Sequence, residues 1–305
     1  MTRVGFCHYL FSDMREILLT GSETPKKLEN FLKKHFPIGY VRKVFRKKGV
    51  RINGRRAESD DLICPGDRIQ LYIPFEPDAA TAKPGKSQPK IDILFEGDGL
   101  LVINKPAGLA VHEGKTVSKQ NSVLGILESQ YRERGIKPQL VHRLDKDTSG
   151  LLLVAKNQKT ATELESFFET GKVGKEYLCL VVGRLQTNEG KVDFPLPGRD
   201  GRPVRALTRF RVVKQFSEVG LVRVAIETGR LHQIRLHFAK LGHPVVMDDQ
   251  HGDFGFNKRF RKAYGLKRQF LHAEKLRLNY AGKQREWTAP LAKDLERTLR
   301  LLENS

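Results

Sequence analysis

The apolar positions of this chain follow two different patterns. From Glu23 to Ile73 they are sparse and periodic. Leu28, Phe31, Leu32 and Phe36 recur at helical spacing, and Pro37-Ile38-Gly39 ends that run. Val41, Val44 and Phe45 predict a second short helix, stopped at Gly49. Val50-Arg51-Ile52 followed by Asn53-Gly54 predicts a hairpin, because that dipeptide adopts the positive-φ turn joining two antiparallel strands. Pro65-Gly66-Asp67 predicts a further turn, ahead of an alternating strand from Arg68 to Ile73.

Beyond Ile91 the apolar residues come in short dense blocks: Leu100–Ile103, Leu151–Val154 and Leu178–Val182. Strands are expected at Ile91–Phe95, Leu100–Asn104, Leu151–Ala155, Tyr177–Val182, Ala206–Val213 and Leu221–Glu227. Helices are expected at Gln158–Phe168, His232–Leu241 and Leu291–Leu302. Strands interspersed irregularly with helices predict an α+β fold with a mainly antiparallel mixed sheet. Pro74 to Lys90 is rich in Pro, Ala and Gly and lacks periodicity, which predicts a semi-rigid solvated linker. The expected organisation is therefore a flexible amino terminus (1–22), a small α/β domain (23–74), a linker (75–90) and a large domain (91–305). No apolar block is long enough to cross a bilayer, and no basic-then-apolar leader opens the chain.

Charge changes this picture. The 305 residues carry 55 Lys+Arg against 35 Asp+Glu, a formal net charge of +20. Such an excess favours a polyanionic partner over a membrane, since no sustained basic amphipathic helix accompanies it. Arg42, Lys43, Arg46, Lys47, Lys48 and Arg51, followed by Arg55 and Arg56, form a stretch that no acid interrupts. On a compact helix–turn–hairpin, several of these side chains can converge on phosphates. The three cysteines, Cys7, Cys64 and Cys179, are far apart and odd in number. That argues against a disulfide framework and for a reducing cytoplasm.

Candidate chemistry gathers at two places. Val141-His142-Arg143-Leu144-Asp145-Lys146-Asp147-Thr148-Ser149-Gly150 is a turn-forming run just ahead of an apolar strand, a common setting for reactive side chains. Glu227-Thr228-Gly229-Arg230-Leu231-His232-Gln233-Ile234-Arg235 starts a helix whose Ile234 and Phe238 face the core, leaving Arg235 on a neighbouring side. Arg230 and Arg235 could each reach a carboxylate or a phosphate. A zinc reading is weak: His232 and His237 are five apart rather than four, with no glutamate between them. A Ser149–His142 nucleophile pair is also weak, because Ser149 lacks the flanking glycines of a nucleophile elbow.

These two clusters resemble the RluA family of pseudouridine synthases. His142 to Leu151 matches the signature around that family's catalytic aspartate. Leu101 to Leu109, Lys175-Glu176-Tyr177, Thr228 to Arg235, Gly242-His243-Pro244 and Phe270 to Ala273 follow in the family's order. Asp248 to Asp253, Phe256-Asn257-Lys258 and Gln269 to Ala273 are similar to the RluC-like branch, which acts on large-subunit ribosomal RNA; His251 stands where that branch usually carries an aromatic. Residues 23–74 resemble an S4 RNA-binding domain. The resemblance implies isomerisation of uridine to pseudouridine in RNA, without a cofactor or metal, because no atoms are gained and no redox change occurs. It gives Asp145 the role of nucleophile at C1′ or base at the 2′ carbon. Arg235 pairs with that aspartate, and Tyr177 stacks on the base and assists proton removal from C5. Arg143 and Arg230 support RNA phosphates or the flipped nucleotide. Lys105 and Pro106 either shape the site or simply form a structural turn after a strand. A free aspartate titrates near ~3.9, so a charged carboxylate is available at neutral pH. Large-subunit ribosomal RNA is the expected partner, transfer RNA the less favoured one, and one site per chain suggests a monomer.

Overall fold

The computed structural model describes residues 15–19, 25–36, 38–73, 91–114, 117–198 and 200–305. The chain divides into two compact units, Met1–Lys86 and Ser87–Ser305. The stretch expected to be a linker, 75–90, lies outside the described residues.

In the smaller unit, strand β1 (Arg15–Leu18) precedes helices α1 (Leu28–His35) and α2 (Ile38–Arg46). Strands β2 (Val50–Ile52), β3 (Arg55–Arg56) and β4 (Arg68–Leu71) follow. The strands form an antiparallel sheet in the order β1-β4-β2-β3. The helical spacing read from the sequence is the core face: Leu28, Leu32, Val41 and Val44 pack on Ile17, Val50, Ile69 and Leu71. Asn53 and Gly54 take φ of +50° and +82°, as the turn between β2 and β3 requires.

Two details differ from expectation. Arg15–Leu18, placed within the flexible terminus, is an edge strand. Four residues without alternation carry no local strand signature, and the pairing residue Gln70 lies 54 residues beyond Glu16. Helix α2 does end before Gly49, but Lys48 takes the left-handed position, at φ +52°. Gly49 serves packing instead, since a Cβ there would lie 2.6 Å from the Ile73 side chain.

The larger unit is built on one ten-stranded sheet. Its strands are β5 (Asp92–Glu96), β6 (Leu100–Lys105), β7 (Ser149–Ala155), β8 (Gly174–Val182), β9 (Glu189–Val192), β10 (Thr208–Gln215), β11 (Val219–Ile226), β12 (Leu271–Tyr280) and β13 (Lys283–Thr288). A two-residue strand, Gln139–Leu140, pairs with β7. The order is β9-β10-β11-β8-β12-β7-β6-β5, with β13 on β12. Every pairing is antiparallel except β7 with β12. Helices α3 (Val123–Gln130), α4 (Gln158–Glu169), α5 (Gln233–Lys240), α6 (Phe254–Tyr264) and α7 (Lys293–Glu303) complete the α+β unit.

The dense apolar blocks are strands buried on both faces. Leu152 and Val154 of β7 face a core shared with Ile103, Cys179 and, from α5, Ile234 and Phe238. Leu151 and Leu153 face the opposite core, under Ala161 and Leu164 of α4. Phe256, Phe260 and Leu295, from α6 and α7, cover Leu178 and Leu180 of β8. Helix α6 has no clear signature in the sequence. Its Gly255, Asn257 and aromatic residues are mediocre helix formers, and it is fixed by its ends. Asp253 accepts the Phe256 N–H at its start, and Gly265 takes φ +72° at its end.

The single parallel junction of this sheet positions the chemistry. Ser149 and Gly150, at the start of β7, lie beside His272 and Ala273 of β12. Gly150 takes φ +109°, and a Cβ there would fall 2.2 Å from the Ala273 carbonyl oxygen, so no other residue fits. The turn carrying Asp145 therefore ends at a tight parallel junction in the middle of the sheet.

Candidate active site

Asp145 sits on a turn closed by the Thr148 N–H, which donates to the Asp145 carbonyl at 3.1 Å. The turn is braced residue by residue. Lys105, fully buried, donates from Nζ to the carbonyls of Pro106, Leu109 and Lys146, each at 2.9 Å. Arg268 donates to the Asp147 carbonyl, and Gln269 to the Thr148 hydroxyl. Ser149 Oγ lies 2.9 Å from His272 Nδ1. Burial pushes the Lys105 ammonium down to about 7, but three carbonyls need three N–H donors, and only the ammonium supplies them. Lys105 is a latch for the turn.

Arg235, on the first turn of α5, meets Asp145 from the other side. Its NH1 donates to Asp145 Oδ2 at 2.9 Å. Its Nε and NH2 grip both oxygens of Asp248, at 2.6 and 2.7 Å. The Arg235 side chain is 4% exposed and Asp248 is fully buried, whereas Asp145 keeps 22% exposure. Burial opposes the Asp248 carboxylate, but Arg235 and the backbone N–H groups of His251 and Gln250 outweigh it and hold its carboxyl below the usual range. The guanidinium is thus fixed by one buried carboxylate and aimed at a second that faces open space.

That space is a cavity of about 520 Å³ lined by Arg143, Asp145, Tyr177, Arg230, His232 and Arg235, among others. Tyr177 comes from β8, where a register shift between Glu176 and Tyr177 sets it opposite Ala273. Burial first, and then the Asp145 charge, push its phenol well above the usual range. Arg143 and Arg230 line the cavity, and Arg230 Nε donates to the Arg205 carbonyl at 3.1 Å. The structure therefore brings together Asp145, Tyr177, Arg235, Arg143 and Arg230. Arg42, Lys43, Arg46, Lys47, Lys48 and Arg51 belong to the smaller unit, where they lie toward solvent. None of them forms an ion pair among the described residues, and Arg51 stacks over the Tyr72 ring at 4.7 Å.

The alternative chemistries fare differently. Ser149 pairs with buried His272, not with His142, whose Nε2 accepts the Leu153 N–H. His237 Nδ1 lies 2.9 Å from the Thr208 hydroxyl, and its Nε2 lies 2.9 Å from the Phe194 carbonyl, both structural contacts. Among the described residues no group of three or more His, Cys, Asp or Glu is arranged to hold a metal ion. No described helix is long and apolar enough to cross a membrane.

Sequence reasoning assigns no role to Asp248 or to the contact between His232 and His251. A signal for Asp248 exists. It follows the apolar run Val245-Val246-Met247, so a carboxylate there is bound to be buried and to need a cation. The histidine contact joins residues 19 apart through a left-handed backbone at His232, φ +52°, which no local pattern encodes.

Known proteins resemble this chain in sequence and fold. The sequence signature described as RNA pseudouridylate synthase matches residues 99–240. The chain is 33% identical over 318 aligned residues to ribosomal large subunit pseudouridine synthase C of Escherichia coli K12, covering 95% of this chain and 97% of that one. It is 32% identical to the protein of the same name from Vibrio vulnificus, covering 92% and 94%. Among solved structures, human RNA pseudouridylate synthase domain containing 4 superposes with a TM-score of 0.60 at 26% identity. That match covers 70% of this chain and 93% of the human one. With near-full-length relatives at this identity, the chain belongs to the RluA family of RNA pseudouridylate synthases.

Proposed function

We propose that the protein converts uridines of large-subunit ribosomal RNA into pseudouridine, with Asp145 as the reacting carboxylate. The observation that carries this reading is the Arg235 guanidinium, clamped by buried Asp248 and placed 2.9 Å from Asp145 on a cavity that Tyr177 also lines. The near-full-length relatives named for the large ribosomal subunit support the choice of RNA.

The reaction breaks the bond from ribose C1′ to N1 of uracil, turns the base and joins C5 to C1′. No redox partner or cofactor is needed. Arg235 aims one oxygen of Asp145 and leaves the other free for the sugar, as nucleophile at C1′ or base at the 2′ carbon. Tyr177 offers an aromatic face for the extruded uracil. A uridine in a helix must be flipped out to reach Asp145. Arg143 and Arg230 hold the flipped nucleotide and its phosphates. The smaller unit acts as an S4-like RNA-binding domain through Arg42, Lys43, Arg46, Lys47, Lys48 and Arg51, which offsets part of the cost of flipping. The protein works in the cytoplasm as a monomer.

The test maps pseudouridine by carbodiimide labelling and primer extension across ribosomal and transfer RNA. The RNA comes from cells lacking the protein and from cells restored with wild type or Asp145→Asn. Large-subunit sites that vanish, return with wild type and stay absent with the variant are expected. Changes confined to transfer RNA would replace the substrate, and no change anywhere would overturn the reading.

A further inference from the structure

Two histidines beside Asp145 have no part in the mechanism above. His232 Nε2 lies 3.8 Å from Asp145 Oδ1, the oxygen that Arg235 does not hold. On the other side of the ring, His232 Nδ1 is 3.0 Å from His251 Nε2. The His232 side chain is 20% exposed, lines the cavity and makes no capping bond to α5. The backbone at His251 is held by the same carboxylate that holds Arg235: the His251 main-chain N–H donates to Asp248 Oδ1 at 3.0 Å. One buried aspartate thus fixes Arg235 against Asp145 and anchors the backbone that carries His251.

The reaction leaves one proton to be moved. Once C5 has bonded to C1′, C5 still carries its hydrogen, and the ring has a C6=N1 double bond. The C5–H pair must become the C5=C6 bond, the C6=N1 pair must move to N1, and N1 must take up a proton. The Tyr177 phenol keeps its own proton. Asp145 is ion-paired with Arg235 and already engaged at the sugar.

We propose that His232 accepts the C5 proton at Nε2 and returns a proton to N1, held in the accepting tautomer by its Nδ1–H donating to His251 Nε2. His232 ends the cycle neutral, one proton received and one given back. His232 acts on the base directly, and His251 is a positioning residue. This rests on the reading of Asp145 given above. The groups facing His232 are Asp145 from the turn, Arg235 from α5, and Asp248 and His251 from the segment before α6. Burial lowers the His232 pKa, Asp145 opposes that, and Arg235 and His251 add to it, so the imidazole is neutral and free to accept at pH 7.

The test is single-turnover pseudouridine formation by the full chain on a large-subunit RNA transcript made with ordinary or 5-deuterated uridine, across pH. His232→Asn suits the left-handed backbone at this position but cannot accept the proton. It is expected to slow turnover by about 10²-fold with RNA affinity unchanged, and to raise the C5 isotope effect above that of wild type, because deprotonation becomes the slow step. His251→Phe is expected to slow turnover less and to shift the acid limb of the pH profile. His251→Gln, which keeps a hydrogen bond to His232, is expected to recover most of that loss. A His232→Asn isotope effect equal to that of wild type, or a rate within about twofold of it, overturns the proposal. Turnover by Asp145→Asn would instead remove the Asp145 reading. Wild-type protein forming no pseudouridine would overturn both.

Discussion

The two units use charge in opposite ways. In the smaller unit every buried side chain among the described residues is apolar, and the cations of α2 and β2 stand toward solvent without ion pairs. In the larger unit Lys105, Lys175, Arg235 and Asp248 are buried. Each meets carbonyls or an opposite charge. Exposed charge is screened and adaptable, which suits sequence-tolerant binding to phosphates. Buried charge is costly unless paired in one geometry, and that single geometry is what aiming a carboxylate at a sugar requires. The difference is the basis of the proposed division, in which the smaller unit adds affinity for RNA and the larger unit carries the chemistry.

The sharpest way to break that division is Asp145→Asn. Turnover should fall by more than about 10³-fold in single-turnover assays, while the Kd for RNA changes by less than about threefold. A comparable loss of binding would show that the carboxylate also serves affinity. Next comes Asp248→Asn, which leaves the Arg235 charge buried with weaker acceptors. Breaking a buried pair should cost about 3–5 kcal/mol of unfolding free energy by denaturant titration. Lys47→Gln, on the exposed face, should move stability by no more than about 0.5 kcal/mol. Equal effects would erase the contrast.

Deleting Met1 to Lys90 should weaken RNA binding and change site choice, yet leave the Asp145 site folded. The slope of log K against log salt should become shallower by about 0.7 for each phosphate that the protein no longer neutralises. Unchanged affinity, salt slope and modified sites would refute the division outright.

A further effect is on pH. Burial and Lys175 lower His142 to about 3, while its unfolded value is near ~6.5. The unfolded chain therefore binds more protons between these values. Stability is full above ~6.5 and is lost as pH falls below it, by at most about 1.4 kcal/mol per pH unit for this group. Stability flat down to pH 4 would show His142 to be solvated in the fold.

Elements whose signals are local are legible in the residues alone. The periodic Leu28–Phe36 run, the Asn53-Gly54 turn and the dense strand blocks follow from short-range sterics and burial period. The ordered motifs around Asp145, Tyr177 and Arg235 identified the family. Helix α6 and strand β1 stayed illegible because caps and a distant partner, not propensity, hold them. The resemblance already paired Arg235 with Asp145, but what holds that pair in place became visible only in the fold. The parallel junction at Gly150 places the Asp145 turn mid-sheet, Asp248 fixes Arg235 from across a loop, and His251 reaches His232 from 19 residues away. These are long-range pairings whose entropic cost is met only after the sheet closes, and no short window of the sequence contains both partners.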